Sequence, residues 1–187
     1  AEIYDKYQQT LKKNNCLDFD DLIILPIDLF EKFPNKLEYY QKKFQYVLVD
    51  EYQDTNKPQF EFIYSITKEH KDIFVVGDDD QSIYGWRGAD ISNILNFKNA
   101  YKKAKIVKLE ENYRSTQNIL DAAWSVVSRN KNRADKKLWT KNIKGDQISI
   151  ITAYNERDEA FRIIKDISKI KSADNVSFGS VGSHETV

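Results

Sequence analysis

The stretch Val47-Leu48-Val49-Asp50-Glu51-Tyr52-Gln53-Asp54 constrains the fold more than any other part of this 187-residue chain. Three aliphatic residues in a row, preceded by Tyr46 and followed at once by two carboxylates, predict a short buried strand ending at an acidic edge. Open α/β sheets place their ligands at such edges. Two adjacent acids there can divide a metal-dependent phosphoryl transfer, one binding Mg2+ directly or through water and the other orienting and deprotonating the attacking water. The same residues also suit a strand followed by a polar turn.

The flanking pattern supports an α/β organisation. Ile3, Tyr4, Tyr7 and Leu11 recur at helical spacing over residues 1–14, predicting an amphipathic helix. Asp18 or Asp20 can cap a helix running through Ile24, which Pro26 would bend or interrupt, and residues 36–44 predict a second short helix. Beyond Asp54, Thr55 or Asn56 can cap a helix whose first turn tolerates Pro58 and whose buried face carries Phe60, Ile63, Tyr64 and Thr67. Residues 73–77 are a second strand, so the two strands and the helix between them form a β-α-β unit with parallel strands. Further strands are expected over 104–109 and 147–152. Helices are expected over 117–129, with Ile119, Leu120, Ala123, Trp124 and Val127 inward, and over 156–170, with Phe161, Ile164 and Ile167 inward.

Charge cancels over the whole chain, with 29 basic and 29 acidic residues, but its distribution does not. Residues 46–100 hold ten acids against five bases, and residues 101–145 hold twelve bases against four acids. An acidic, metal-binding half beside a basic half suits a protein that handles phosphates, although a Lys-rich surface also explains a basic run. The single cysteine, Cys16, excludes an internal disulfide and favours a reducing compartment. With no apolar run of transmembrane length and no signal peptide, a soluble cytoplasmic protein is expected.

Two loops carry further candidates. In Gly77-Asp78-Asp79-Asp80-Gln81-Ser82-Ile83-Tyr84-Gly85-Trp86-Arg87-Gly88-Ala89, Gln81 can both donate and accept a hydrogen bond. Trp86 beside Arg87 is an aromatic and cationic pair of the kind that holds single-stranded nucleic acid; a loop anchor tucked under a helix would look the same. In Asn112-Tyr113-Arg114-Ser115-Thr116, Arg114 is placed to reach a γ-phosphate, and Ser115 or Thr116 caps the following helix.

Taken together, residues 50–56, 77–89 and 112–116 resemble motifs II, III and IV of the UvrD/PcrA/Rep family of superfamily 1 DNA helicases. Residues 17–22 resemble the family's Leu-Asp-Phe-Asp-Asp-Leu segment, and Lys137-Leu138-Trp139-Thr140 resembles the opening of its second motor domain. The resemblance spans roughly residues 4–170 and implies a RecA-like parallel sheet flanked by helices. Residues 1–110 would be the later part of a first RecA-like domain, 111–170 would carry motif IV and begin a second, and 171–187 stay unassigned. It implies ATP and Mg2+ as cofactors, with Asp50 on the metal, Glu51 as catalytic base, Gln81 sensing the γ-phosphate, Arg114 contacting it and Tyr113 stacking near the nucleotide base. Phe19, Tyr84, Trp86 and Arg87 would face single-stranded DNA. On pattern alone Phe19 reads as a core residue.

The implied activity is ATP-dependent 3′-to-5′ movement on single-stranded DNA and duplex junctions, in repair or replication. A helicase-nuclease subunit of the RecB or AddA kind shares these motifs, and a non-catalytic DNA-binding remnant is a third reading. No Gly-x-x-x-x-Gly-Lys-[Ser/Thr] phosphate loop occurs in the sequence, and motifs V and VI are absent too. The chain is therefore expected to need the remainder of a helicase for activity and to be inactive alone.

Overall fold

A computed structural model of the chain describes residues 2–174, and the side chains among them as far as Lys171. They form an α/β structure in two compact units, Ala1–Ile143 and a second beginning at Lys144. The assignment of 171–187 as an unassigned tail lies largely outside the described residues, although the last helix continues past 170 to Asp174.

In the first unit, α1 (Glu2–Lys13), α2 (Asp21–Lys32) and α3 (Pro34–Lys43) lead into β1 (Val47–Val49). Helix α4 (Lys57–Thr67) then returns the chain to β2 (Ile73–Val75). The two strands are parallel, with Val47 opposite Ile73, Leu48 opposite Phe74 and Val49 opposite Val75, so the expected β-α-β unit is present. Helix α4 starts where its cap residues dictate. The Asn56 side chain accepts from the Gln59 N–H and the Gln59 side chain accepts from the Asn56 N–H, a reciprocal capping box that satisfies two otherwise unpaired donors. A similar exchange between Asp18 and Asp21 opens α2, at 2.9 and 3.2 Å. Pro26 lies inside α2, which runs on to Lys32. Packing of α2 on α3 and α4 holds it, with buried Phe30 stacked on Phe62 at 6.0 Å and tilted against Tyr40 at 5.7 Å.

A second apolar cluster lies beneath the strand ends. Buried Tyr52 meets Phe97 edge-on, Phe97 stacks on Tyr101 at 4.7 Å, and Tyr101 meets Tyr64. Phe97 and Tyr101 come from α6 (Phe97–Ala100) and the residue after it, just beyond α5 (Ser92–Leu95). The wholly buried Thr67 hydroxyl donates to the Ile63 carbonyl, which leaves the Tyr101 hydroxyl to donate to Thr67. Burial pushes the Tyr52 phenol up to about 12.

The later strands did not form. Residues 104–109 and 147–152 join no ladder among the described residues, and the one pairing in this region is a single parallel bridge between Glu111 and Trp139. Ile106, Val107, Leu109 and Ile150 are exposed. β-branched composition suits a pleated surface but supplies no neighbour to pair with. Helix α7 (Gln117–Val127) buries Leu120 while Ile119 and Ala123 stay exposed. In the second unit α8 (Glu156–Asp174) leaves Phe161, Ile164 and Ile167 exposed, contrary to their expected inward placement. No helix among the described residues is long and apolar enough to cross a membrane.

Candidate functional site

The acidic edge is built by the end of β1. The Val76 N–H donates to the Val49 carbonyl and the Tyr52 N–H donates to the Val76 carbonyl, both at 2.9 Å, so the chain must turn back between Val49 and Tyr52. Glu51 makes that turn in the left-handed region, at φ 48° and ψ 43°. A non-glycine residue held there costs about 1–3 kcal/mol and is sustained by its surroundings. Those surroundings centre on Gln53, which is 1% exposed. Its amide donates to Glu51 Oε2 at 2.8 Å, and its carbonyl oxygen accepts from the Asp78 N–H at 3.0 Å. One buried side chain therefore joins the loops that follow both strands.

Gly77 makes the approach possible, because a Cβ there would lie 2.5 Å from Gln53 Oε1 and 2.8 Å from Ile94 Cδ1. Asp50 and Glu51 line an open cleft of about 490 Å3 with Ile23, Val49, Asp54, Thr55, Phe62 and Ile63. Asp50 Oδ1 accepts from the Glu51 N–H at 2.9 Å, and the side chain is otherwise exposed. The described residues contain no group of three or more metal-ligating side chains. The two carboxylates at the edge, Asp50 and Glu51, suit Mg2+, which keeps several waters and takes one or two carboxylates together with phosphate oxygens.

The loop after β2 opens with three carboxylates whose partners come from residues 133–136. The Arg133 guanidinium grips Asp80 with both prongs, Nε to Oδ1 at 2.9 Å and Nη2 to Oδ2 at 2.7 Å. Lys136 Nζ donates to Asp78 Oδ1 at 2.6 Å, donates to Asp79, and lies 3.5 Å from Asp80. The Ala134 N–H donates to Asp79 Oδ2 at 2.7 Å. Behind them Trp124 of α7 lies beneath the Arg133 guanidinium, 4.7 Å from ring centre to Cζ. The hydrogen bond from Arg133 holds the Asp80 carboxyl below its ordinary value. Burial pushes Asp78 up, but hydrogen bonds from Lys136 and Gln81 outweigh it and leave it lowered. Gln81 is exposed, and its amide donates to Asp78 Oδ2 at 2.8 Å.

Farther along, the short 3-10 turn Gly85–Arg87 carries the aromatic pair. Trp86 is 76% exposed and so is no core anchor. Arg87 lies over both Trp86 and Tyr84, at 4.6 and 5.2 Å from their ring centres. The base of this loop is fixed to the start of α4, because the Asp90 N–H and the Asn93 side chain both donate to the Thr55 carbonyl.

Phe19 is 88% exposed on the loop before α2, which overturns its reading as core. The capping exchange between Asp18 and Asp21 fixes the backbone there and turns the ring out.

Tyr113 and Arg114 lie on a separate loop. The Asn112 side chain accepts from the N–H groups of Arg114 and Ser115, and Tyr113 donates to Glu111 at 3.0 Å. No hydrogen bond, ion pair or ring contact among the described residues links Tyr113 or Arg114 to Asp50, Glu51 or Gln81. The structure thus brings Asp50 and Glu51 together, ties Gln81 to them through Asp78 and Gln53, and groups Tyr84, Trp86 and Arg87; Phe19, Tyr113 and Arg114 stand apart. Gln53, Arg133 and Lys136 were missed as functional candidates. Three consecutive aspartates were the available signal, since such charges are seldom buried unless paired.

Residues 1–102 match the UvrD/REP helicase N-terminal domain, and residues 107–180 match the UvrD-like helicase C-terminal domain. The ATP-dependent DNA helicase PcrA of Staphylococcus epidermidis is 55% identical over 169 residues, covering 90% of this chain and 23% of the relative. The protein of the same name from Leuconostoc citreum is 51% identical over 178 residues, covering 95% of this chain and 24% of its own length. That of Staphylococcus aureus is 53% identical over 169 residues, covering 90% and 23%. The chain spans about a quarter of the length of these curated relatives.

Proposed function

We propose, from the premise that this chain belongs to the UvrD/REP helicase family, that it is a segment of an ATP-dependent helicase that moves 3′-to-5′ on single-stranded DNA. The observation that carries this reading is the Glu51–Gln53–Asp78–Gln81 connection. It places an oriented carboxylate at a strand end and joins it to the loop bearing an exposed aromatic pair.

In this reading Asp50 holds Mg2+, which when bound neutralises phosphate charge. Glu51 takes the proton of the attacking water, its carboxylate aimed by the Gln53 amide. Gln81 exchanges its hydrogen bond to Asp78 for one to the γ-phosphate, and Arg114 contacts the same phosphate. Tyr113 stacks near the nucleotide base. Tyr84, Trp86, Arg87 and Phe19 face single-stranded DNA, and the short covalent path from Gln81 to Trp86 passes motion at Gln81 to the aromatic tip while Asp90 and Asn93 hold the far end of the loop to Thr55. The cellular setting is replication or repair in the cytoplasm.

A complete helicase carrying these residues tests the assignment. Trp86→Ala should weaken single-stranded DNA binding by about 1–3 kcal/mol, the value of a lost base stack. Its melting temperature should stay within a degree or two, because the ring buries little on folding. Unchanged DNA affinity with a large fall in melting temperature would remove the nucleic-acid face from the reading.

A further inference from the structure

We propose that Arg133 and Lys136 are positioning residues for Gln81: they clasp Asp78, Asp79 and Asp80 and thereby set where the glutamine stands. The proposal rests on the reading of Gln81 as the nucleotide-sensing side chain.

The clasp is long-range and enclosed. Its partners are 53–58 residues apart in sequence. The side chains of Arg133, Lys136, Asp79 and Asp80 are all less than one-fifth exposed, and that of Asp78 is 30% exposed. Enclosed ion clusters contribute little net stability compared with apolar packing, because desolvation offsets the attraction. Their directional bonds do fix register, and the two-pronged grip on Asp80 allows one geometry.

The wiring of Asp78 makes that register matter. Its Oδ1 accepts from Lys136 and from the Asp80 N–H, and its Oδ2 accepts from the Gln81 amide. Lys136 therefore fixes the carboxylate that fixes Gln81. When Gln81 turns toward a phosphate, Asp78 gives up that donor and is held by Lys136 and the Asp80 N–H that remain. The acids lie in the part matched by the N-terminal helicase domain and the cations in the part matched by the C-terminal one. A change at Gln81 therefore reaches Lys136 through Asp78.

The test uses a complete helicase carrying these residues and compares Lys136→Met, Arg133→Lys, Arg133→Asp and the charge exchange Asp80→Arg with Arg133→Asp. The readouts are DNA-stimulated ATP turnover, nucleotide KM and melting temperature. A positioning role predicts that Lys136→Met lowers DNA-stimulated kcat about tenfold while nucleotide KM changes less than about twofold. Arg133→Lys keeps the charge and most of the packing, and should lose part of the same coupling. The exchanged pair should recover most of what Arg133→Asp alone loses.

Normal stimulated turnover in Lys136→Met below its melting temperature, or no recovery in the exchanged pair, would overturn the proposal and leave the clasp as a stabilising contact only. Gln81→Ala is measured alongside. If it leaves turnover unaltered, the assignment of Gln81 fails; if it uncouples while Lys136→Met does not, only the clasp proposal fails.

Discussion

Gly77 and Gln53 are the two residues on which the geometry of the acidic edge turns. Gly77 has an ordinary backbone conformation, so its requirement is space rather than φ: a methyl group would meet Gln53 Oε1 at 2.5 Å and Ile94 Cδ1 at 2.8 Å. Gly77→Ala should therefore displace the Gln53 amide from Glu51 and destabilise the fold by about 1–3 kcal/mol, the usual cost of overpacking. Thermal melting of the variant checks this, and an unchanged midpoint would mean that the two loops have room to separate. The acids, the tryptophan and the exposed Gln81 were legible in the sequence because each breaks a local pattern, a carboxylate after an apolar run or an aromatic between glycines. Gln53 was not, because a glutamine in a polar loop looks solvated; its partner Asp78, in the loop after the second strand, lies 25 residues further on.

At the scale of elements, the loop after β2 depends on ion pairs and so on pH. Asp80 is held below its ordinary value by Arg133, and Asp78 is lowered because Lys136 and Gln81 outweigh its burial. A carboxyl with a folded value below its unfolded one, about 3.9 for Asp, stabilises the fold above that pH and loses the contribution as pH falls through the folded value. Lys136 is raised, burial lowering it but its bonds to Asp78 and Asp79 prevailing, so its contribution is lost only on the alkaline side. The melting temperature should accordingly drop below about pH 4 more steeply in the native chain than in Asp80→Asn, which starts lower at neutral pH. Parallel acid limbs would show that the pair contributes nothing.

The β1-α4-β2 unit was readable because strand, capped helix and strand follow one another within thirty residues and each end is marked locally. The segments at 104–109 and 147–152 carry equally good strand composition, yet pairing is not a local property. Pro26 does not interrupt its helix, since packing around Phe30 carries α2 through it to Lys32.

For the whole molecule, the two-stranded sheet leaves Leu48 and Phe74, which are register partners, 75% and 62% exposed. The candidate catalytic carboxylate is in place, but a glycine-rich phosphate cradle with its lysine is found nowhere in the 187 residues. Positioning of the phosphate supplies much of the rate in such reactions. The isolated chain should therefore show no DNA-stimulated ATP hydrolysis in a steady-state assay. Turnover near one per second, within the ~1–10³ s⁻¹ usual for enzymes, would contradict this.

In the proposed reaction Asp50 and Glu51 have different tasks, which paired nucleotide-binding and hydrolysis measurements on two variants of a complete helicase separate. Glu51→Gln should abolish hydrolysis while leaving Mg2+-nucleotide affinity largely intact, because the amide keeps the shape and the bond from Gln53 but cannot accept a proton. Asp50→Asn should weaken Mg2+-nucleotide binding as well as hydrolysis. Equal losses of affinity in both variants, or hydrolysis surviving in Glu51→Gln, would contradict that division of tasks.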